Sequence, residues 1–346
     1  MAFVYADNLE LSKILMSKKN PSGMYALQDG KSVSYDALNA TLQKNLNEIA
    51  GTPQLFRENK NVVFSLLEET LNDVMPKNVL DTYGMFADVQ TVPQGDTVVF
   101  RKKIGDMRAK QFITRVALAG RYEVFELAEE KFEIKTTAYG GAARIGIEEF
   151  LDGRVQWADY LNIVNEGMSE AVYKEIANAL VASIAQFPAT NKVSAANFDE
   201  QQFDRLIQTV AIYGAPVIYC TLEAAMTLMP QNNWISESMK DERWQRGYFT
   251  NYKGTPVVIL PQSFTDETNA KKVIDPSYIY IFPTGAQKPV KIVFEGNTLV
   301  KNFENRDWST ELQTYQKFGV GVLTTNNLAV YKNTSLVLEN TPGTWA

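Results

Sequence analysis

Histidine is absent from this chain of 346 residues, and cysteine occurs once. Without an imidazole, neither a Ser-His-Asp nor a Cys-His catalytic arrangement can be built. The common zinc sites go too, since only carboxylates remain as strong ligands. The lone thiol, Cys220 in PVIYC, permits no disulfide within the chain and suits a reducing compartment. Its apolar neighbours predict a buried small hydrophobe rather than a reactive group. No GxxxxGK[ST] or GxGxxG motif occurs, and no apolar run reaches membrane-spanning length. The opening stretch MAFVYADNLELSKILMSKKN has no long apolar core, so it is not read as a signal peptide, and synthesis in the cytoplasm is expected. Positive charge is also short. Lys and Arg number 34 against 40 Asp and Glu, a net charge of −6 with no lysine-rich tail. Dedicated DNA reading is therefore not expected.

What is present is a globular composition, 45% hydrophobic and 21% charged, with room for about two domains. Residues 1–60 are polar with weak periodicity and are expected to form an arm, ordered by contact with another chain. Residues 61–75 (NVVFSLLEETLNDVM) carry apolar side chains at helical spacing and are expected to stop before Pro76. The PQGD turn and the β-rich runs around it predict a long hairpin. Arg101, Lys102, Lys103, Arg108 and Lys110 crowd its tip. Val98, Val99, Phe100, Phe112 and Ile113 are too apolar for a free ribbon, so the hairpin should rest on something. Strands are expected at 131–139 and 143–148, with Gly140 and Gly141 as a turn or kink between them. Glu129–Glu130 and Glu148–Glu149 are adjacent pairs, which on a strand point to opposite faces and make no obvious catalytic couple.

A helix from about 155 to 187 follows, with no proline and one glycine, Gly167. Trp157, Leu161, Val164, Met168, Val172, Ile176, Leu180 and Ile184 recur every three or four residues and mark a core-facing stripe. At about 1.5 Å per residue this helix is on the order of 45–50 Å long. The stripe is broad and occurs once, which argues against a heptad zipper. Residues 191–304 then alternate helical and strand patterns. NYKGTPVVILPQ, SYIYIFP and VKIVFEG are the strands of this second α+β unit. Residues 305–346 are β-like and are expected to return to the first unit.

The order of these elements is similar to that of tailed-phage major capsid proteins of the Hong Kong 97-like fold. The likeness rests on residues 125–180, FELAEEKFEIKTTAYGGAARIGIEEFLDGRVQWADYLNIVNEGMSEAVYKEIANAL, with their strand, strand, EEFLDG-type turn and spine helix. YKGTPVVILPQ (252–262) resembles the family's late axial-domain strand. The resemblance spans about residues 60–335 and is one of order and spacing. It implies an α+β fold with an N-terminal arm (1–60), the start of a peripheral domain (61–88), an E-loop hairpin (89–124), a peripheral domain with the spine helix (125–190), an axial domain (191–304) and a return to the peripheral domain with a C-terminal tail (305–346). It also implies a shell protein without catalysis or cofactor. Hexamers and pentamers of the chain would form an icosahedral shell, a virion component assembled in the host cytoplasm around double-stranded DNA held non-specifically. Its partners would be a portal and a separately encoded scaffolding protein, with a decoration protein in some shells and no membrane. Met1 and an arm of only about 60 residues favour an arm that is not cleaved. Lys102, Lys103 and Lys110 fall in the loop where some members form isopeptide cross-links, but no asparagine partner or catalytic glutamate stands out. The basic tip is expected to sit against acidic surface on an adjacent subunit, with Glu129, Glu130, Glu148 and Glu149 as candidates. An encapsulin-like compartment shares the resemblance. A carboxylate-metal enzyme, for which Glu148, Glu149 and Asp152 are the close trio, is the reading from another class.

Overall fold

The structure, a computed structural model, describes residues 3–17, 24–26, 32–103, 129–146, 157–229, 237–266, 268–284, 288–304, 309–324 and 326–336. It opens with α1 (Tyr5–Ser17), a small ladder of β1 (Met24–Ala26) and β2 (Ser32–Ser34), then α2 (Tyr35–Ala50) and α3 (Pro53–Tyr83). Ser34 caps α2, its hydroxyl accepting from the Ala37 N–H at 3.3 Å. Thr52 caps α3 the same way, from Leu55 N–H at 3.3 Å. Pro53 sits in the first turn, where a missing N–H costs nothing.

Leu38, Leu42, Leu46 and Ala50 bury one stripe of α2 against Val63, Leu66, Leu67 and Leu71 of α3, and Leu15 and Met16 of α1 join them. The described helices of the expected arm pack within the chain: α1 and α2 lie on α3. The sequence hides this because polar atoms complete the contact. Ser12 Oγ lies 2.6 Å from Thr70 Oγ1, Asn45 donates to Asn8 Oδ1 at 2.8 Å, and Lys13 pairs with Asp73. The second departure is Pro76, through which α3 continues for seven more residues to Tyr83. A proline within a helix costs about 3 kcal/mol. Burial of Val74, Met75, Val79 and Tyr83 offsets that, at about 1.5–3 kcal/mol for each large side chain.

Next come β3 (Ala87–Val92), β4 (Val99–Lys103), β5 (Glu129–Glu133), β6 (Thr137–Gly146) and α4 (Trp157–Ser183). Here too one expectation fails. Strand β6 runs unbroken through Gly140 and Gly141, which pair with Tyr315 and Thr314. Gly140 is set by close approach, because a Cβ there would meet the Thr314 carbonyl oxygen at 2.8 Å. Beyond α4 lie β7 (Lys192–Ala195), α5 (Glu200–Ala211), β8 (Pro216–Cys220), α6 (Leu222–Thr227) and α7 (Glu237–Arg246). The chain then forms β9 (Asn251–Tyr252), β10 (Thr255–Ile259), β11 (Tyr278–Pro283), β12 (Val290–Glu304), β13 (Ser309–Val322) and β14 (Ala329–Asn333).

A four-stranded sheet runs β3-β12-β13-β6 and a six-stranded sheet runs β7-β14-β11-β8-β10-β9. The stretch 290–304, assigned with the second unit from sequence, thus belongs to the first sheet. Within the C-terminal return, β13 joins the first sheet and β14 pairs with β11 and β7 of the second. Each strand of the six-stranded sheet core alternates. Ile218 and Cys220 face Phe203, Leu206 and Val210 of α5. Val217, Tyr219, Tyr280 and Phe282 face the other way, into a core shared with α4.

Helix α4 links the layers. Val164 and Met168 pack with the α1–α3 layer. Val172, Ile176 and Leu180 pack with Phe294 and Phe318 of the four-stranded sheet and with Tyr219 and Phe282 of the other. Trp157 and Leu161 lie on the same helix, but their side chains are outside the described set.

Two outcomes test this packing. Ile176→Ala, at a position 3% exposed, should lower stability by about 2–5 kcal/mol in thermal or denaturant melts. Ile163→Ala on the same helix, at 65% exposure, should stay within about 0.5 kcal/mol of wild type. Equal melts for the two variants would place the stripe elsewhere. Removal of residues 1–50 should uncover Val63, Leu66, Leu67 and Leu71 and produce an aggregating, less stable subunit. A monodisperse deletion variant with a wild-type melt would show that the arm contributes nothing to its own chain's core.

Candidate assembly site at the hairpin root

The segment QKFGVGV on β13 places Phe318, Val320 and Val322 on one face and Gly319 and Gly321 on the other. The glycines make room for a second layer. A Cβ on Gly319 would meet the Lys135 carbonyl oxygen at 2.5 Å and Ile134 Cγ2 at 2.9 Å, and one on Gly321 would meet the Phe132 ring at 2.8 Å. The chain entering β6 therefore lies directly across this face. Phe100, Ile134 and Val293 form a small core there, with Val92, Val98 and Phe132 packed around it. Lys291 Nζ stands 5.3 Å from the centroid of the Phe100 ring and 2.9 Å from Asp88 Oδ2. This is what the apolar hairpin rests on: the glycine face of its own sheet. Phe112 and Ile113 lie outside the described residues.

The hairpin itself is a two-stranded ladder of β4 and β5. Its register sets Arg101 opposite Lys131, Lys102 opposite Glu130 and Lys103 opposite Glu129. Two of the four acidic residues expected on an adjacent subunit thus stand opposite the lysines within one chain. Arg108, Lys110, Glu148, Glu149 and Asp152 lie outside the described residues. Among the described residues, no group of carboxylates or Cys is arranged to hold a metal ion.

Both ends of the hairpin converge on Glu295, only 8% exposed, which sequence reasoning passed over. Its Oε1 accepts from the Gly95 N–H at 3.0 Å and from Lys317 Nζ at 3.4 Å, and its Oε2 accepts from the Thr136 hydroxyl. Those contacts, the Thr136 hydroxyl first and then the Gly95 N–H, hold the carboxyl below the usual carboxylate range. The residue sits where the β12–β13 register shifts, between Glu295 and Leu299. Gly296 follows at φ +68°, in the left-handed region that favours glycine. The PQGD turn signal in the sequence was visible. Its partner, 200 residues away, was not.

A second surface lies on α7, which buries none of its residues. Trp244 is 93% exposed, beside Met226 and Met229 at 45% and 36%. An open cavity between Trp244, Met229, Arg243 and Phe249 indents the surface there. Cys220, by contrast, is fully buried, and burial pushes its thiol up to about 12, so it takes no part in surface chemistry. Among the described residues no helix is long and apolar enough to cross a membrane.

Comparison with known proteins gives this geometry a context. No curated protein matches the chain in sequence. In fold it is similar to the capsid of the cyanophage P-SCSP1u, with 9% identity over 72% of this chain and 87% of that one and a TM-score of 0.51. It is likewise similar to the capsid of a native GTA particle, with 11% identity over 73% of this chain and 89% of that one and a TM-score of 0.51. An encapsulin complex from Synechococcus elongatus aligns over 74% of this chain and 88% of its own with 13% identity, but at a TM-score of 0.44 it bears no weight on function. The sequence model of a capsid family, described as "SPbeta prophage-derived putative capsid protein YonB", matches residues 15–332. The chain belongs to that phage capsid family, as a structural component of the virion and not an enzyme.

Proposed function

We propose that copies of this chain assemble as hexamers and pentamers into an icosahedral shell that encloses the double-stranded DNA of a tailed phage. The observation that carries the reading is the capsid family's match over residues 15–332. The hairpin adds support. Strands β4 and β5 each pair only with the other among the described strands, and their ladder rests on the glycine face of its own sheet, which presents the hairpin from a fixed root. Arg101, Lys102 and Lys103, with Arg108 and Lys110 further along, supply positive charge for acidic surface on a neighbour. Glu129 and Glu130 stand opposite the lysines in register, and Glu129, Glu130, Glu148 and Glu149 are the candidate acidic partners on the neighbour. Each exposed ion pair contributes only about 0–1 kcal/mol, but a closed lattice multiplies such contacts. The other partners on this reading are a portal, a separately encoded scaffolding protein and, in some shells, a decoration protein. DNA contacts the inside without sequence preference.

Negative-stain images of the purified protein are expected to contain closed shells with five- and six-fold clusters. Particles from producing cells should carry nuclease-resistant DNA. Shells filled with protein cargo and no DNA would favour a compartment, and a persistent monomer at all concentrations would overturn the shell reading. Trp244→Ser removes an exposed apolar side chain from a helix without buried residues. It should leave the melt within about 0.5 kcal/mol of wild type and raise the concentration needed for shells. Wild-type assembly by this variant would exclude α7 from the contacts.

A further inference from the structure

We infer that Glu295 is the positioning residue that fixes the angle at which the β4–β5 hairpin leaves the four-stranded sheet, and that assembly requires this carboxylate in place. The inference deepens the shell reading and rests on it for the assembly step. It begins with the difference between two kinds of attachment. The Phe100, Ile134 and Val293 cluster holds the hairpin against the sheet, but burial of apolar surface is non-directional and tolerates sliding or tilt. Charge-assisted hydrogen bonds are directional. The outgoing chain is tied at Gly95 and the returning chain at Thr136, 41 positions later by their numbers, and both ties end on one side chain. Two fixed points define an orientation where one would define a pivot.

The backbone around the clasp is built for it. Gly95 sits in the tip of its turn at φ +90°, with Asp96 N–H donating to the Pro93 carbonyl at 3.2 Å. Gly296 has φ +68°, and a Cβ there would meet Gln94 Cβ at 3.2 Å, so the turn lies directly on the bulge of β12. Lys317 of β13, 3.4 Å from Oε1, is the charged group in contact with the carboxylate among the described residues. A neutral glutamine at 295 keeps the shape but loses the attraction of Lys317. It also leaves at least one of its three donor partners facing an amide N–H instead of an oxygen.

The clasp should respond to acid with a defined sign. Glu295 has its folded-state pKa depressed, through the Thr136 hydroxyl, the Gly95 N–H and Lys317 in that order. Its contribution is fully present above the ordinary carboxylate range and is lost as pH falls through the lower folded value. The hairpin root should therefore loosen in acid before the helical and six-stranded cores do.

Hydrogen exchange on the subunit and light scattering of assembly, run side by side, test this. In Glu295→Gln, amides of 95–103 and 129–136 should exchange roughly tenfold or more faster, while amides of α4 keep wild-type protection. The same variant should assemble more slowly. As pH is lowered from about 5 to well below the ordinary glutamate value of about 4.3, corrected hairpin exchange should rise in wild type and stay flat in Glu295→Gln. Thr136→Val removes one tie only and should give an intermediate loss of protection, which covers the case in which Glu295→Gln does not fold. Unchanged hairpin protection, or faster exchange throughout the molecule, would overturn the positioning role. A loosened hairpin with wild-type assembly would overturn its link to assembly. The exchange arm needs no shells, so a wild-type protein that never assembles would sink the shell reading alone and leave the pin tested.

Discussion

Everything else in this subunit depends on two cores that long helices, α4 and α3, bridge. The stripe on α4 advances by four residues at each step, Val164, Met168, Val172, Ile176 and Leu180. Four residues turn an α-helix by about 400°, so each step rotates the stripe by about 40° and the five positions sweep about 160°. A heptad seam would have stayed on one side. Here the apolar surface winds round the rod and faces the α1–α3 layer at one end and the two sheets at the other. Helix α3, 31 residues against 27 for α4, bridges the same two cores, with Val63, Leu67, Leu71 and Met75 in one and Val79 and Tyr83 in the other. A break near Met168 or Val172 would leave α3 as the long helix that joins them. Exposed Gly167, with nothing within 4 Å of where its Cβ would stand, costs the helix about 1 kcal/mol relative to alanine. Packing on both sides of it keeps the helix continuous.

The hairpin root shows the opposite economy, in which little buried area holds the β4–β5 ladder. Two glycines on β13 let Phe132 and Ile134 approach the sheet at contacts no side chain would allow. Glu295 then fixes direction. Lys291 joins β12 to β3 through Asp88 and covers the Phe100 ring with the same ammonium. Polar groups at 8% exposure, as Glu295 and Lys291 both are, are costly to bury unless matched. Each of these has its partners, which makes the root specific in geometry at little gain in net stability.

Much of the fold was legible because local physics set it. Val172, Ile176 and Leu180 announce a buried helical stripe, and YIYIF alternates across a sheet. Lys253–Gly254, at φ +47° and +86°, closes β9 and β10 as a hairpin needs. What stayed hidden was tertiary. Pro76 signals a stop that burial overrides. Gly140 and Gly141 signal a turn, yet they answer the approach of β13. The arm's docking through Ser12 and Thr70 has no apolar period. Glu295 meets Gly95 only because β12 crosses back beside β3, which no local pattern encodes. The family likeness was readable in the order of elements alone, and identities of 9% and 11% to capsids of similar fold show how little residue identity that order needs.

Covering both faces of the six-stranded sheet has a consequence for where contacts between copies can form. Phe203, Tyr252 and Tyr331 crowd one face with edge-on contacts, and Phe86, Tyr219 and Phe282 crowd the other. No strand of that sheet carries a large exposed hydrophobic residue among those described. The large exposed apolar side chains sit at the periphery instead: Trp244 on α7, Ile212 after α5, Met85 after α3 and Ile163 on the outer side of α4. In the proposed shell, contacts on residues of this kind would gain their strength from repetition rather than from any one buried area. Such contacts can form, dissociate and re-form while the two cores stay intact, which a shell needs if misplaced subunits are to leave before it closes.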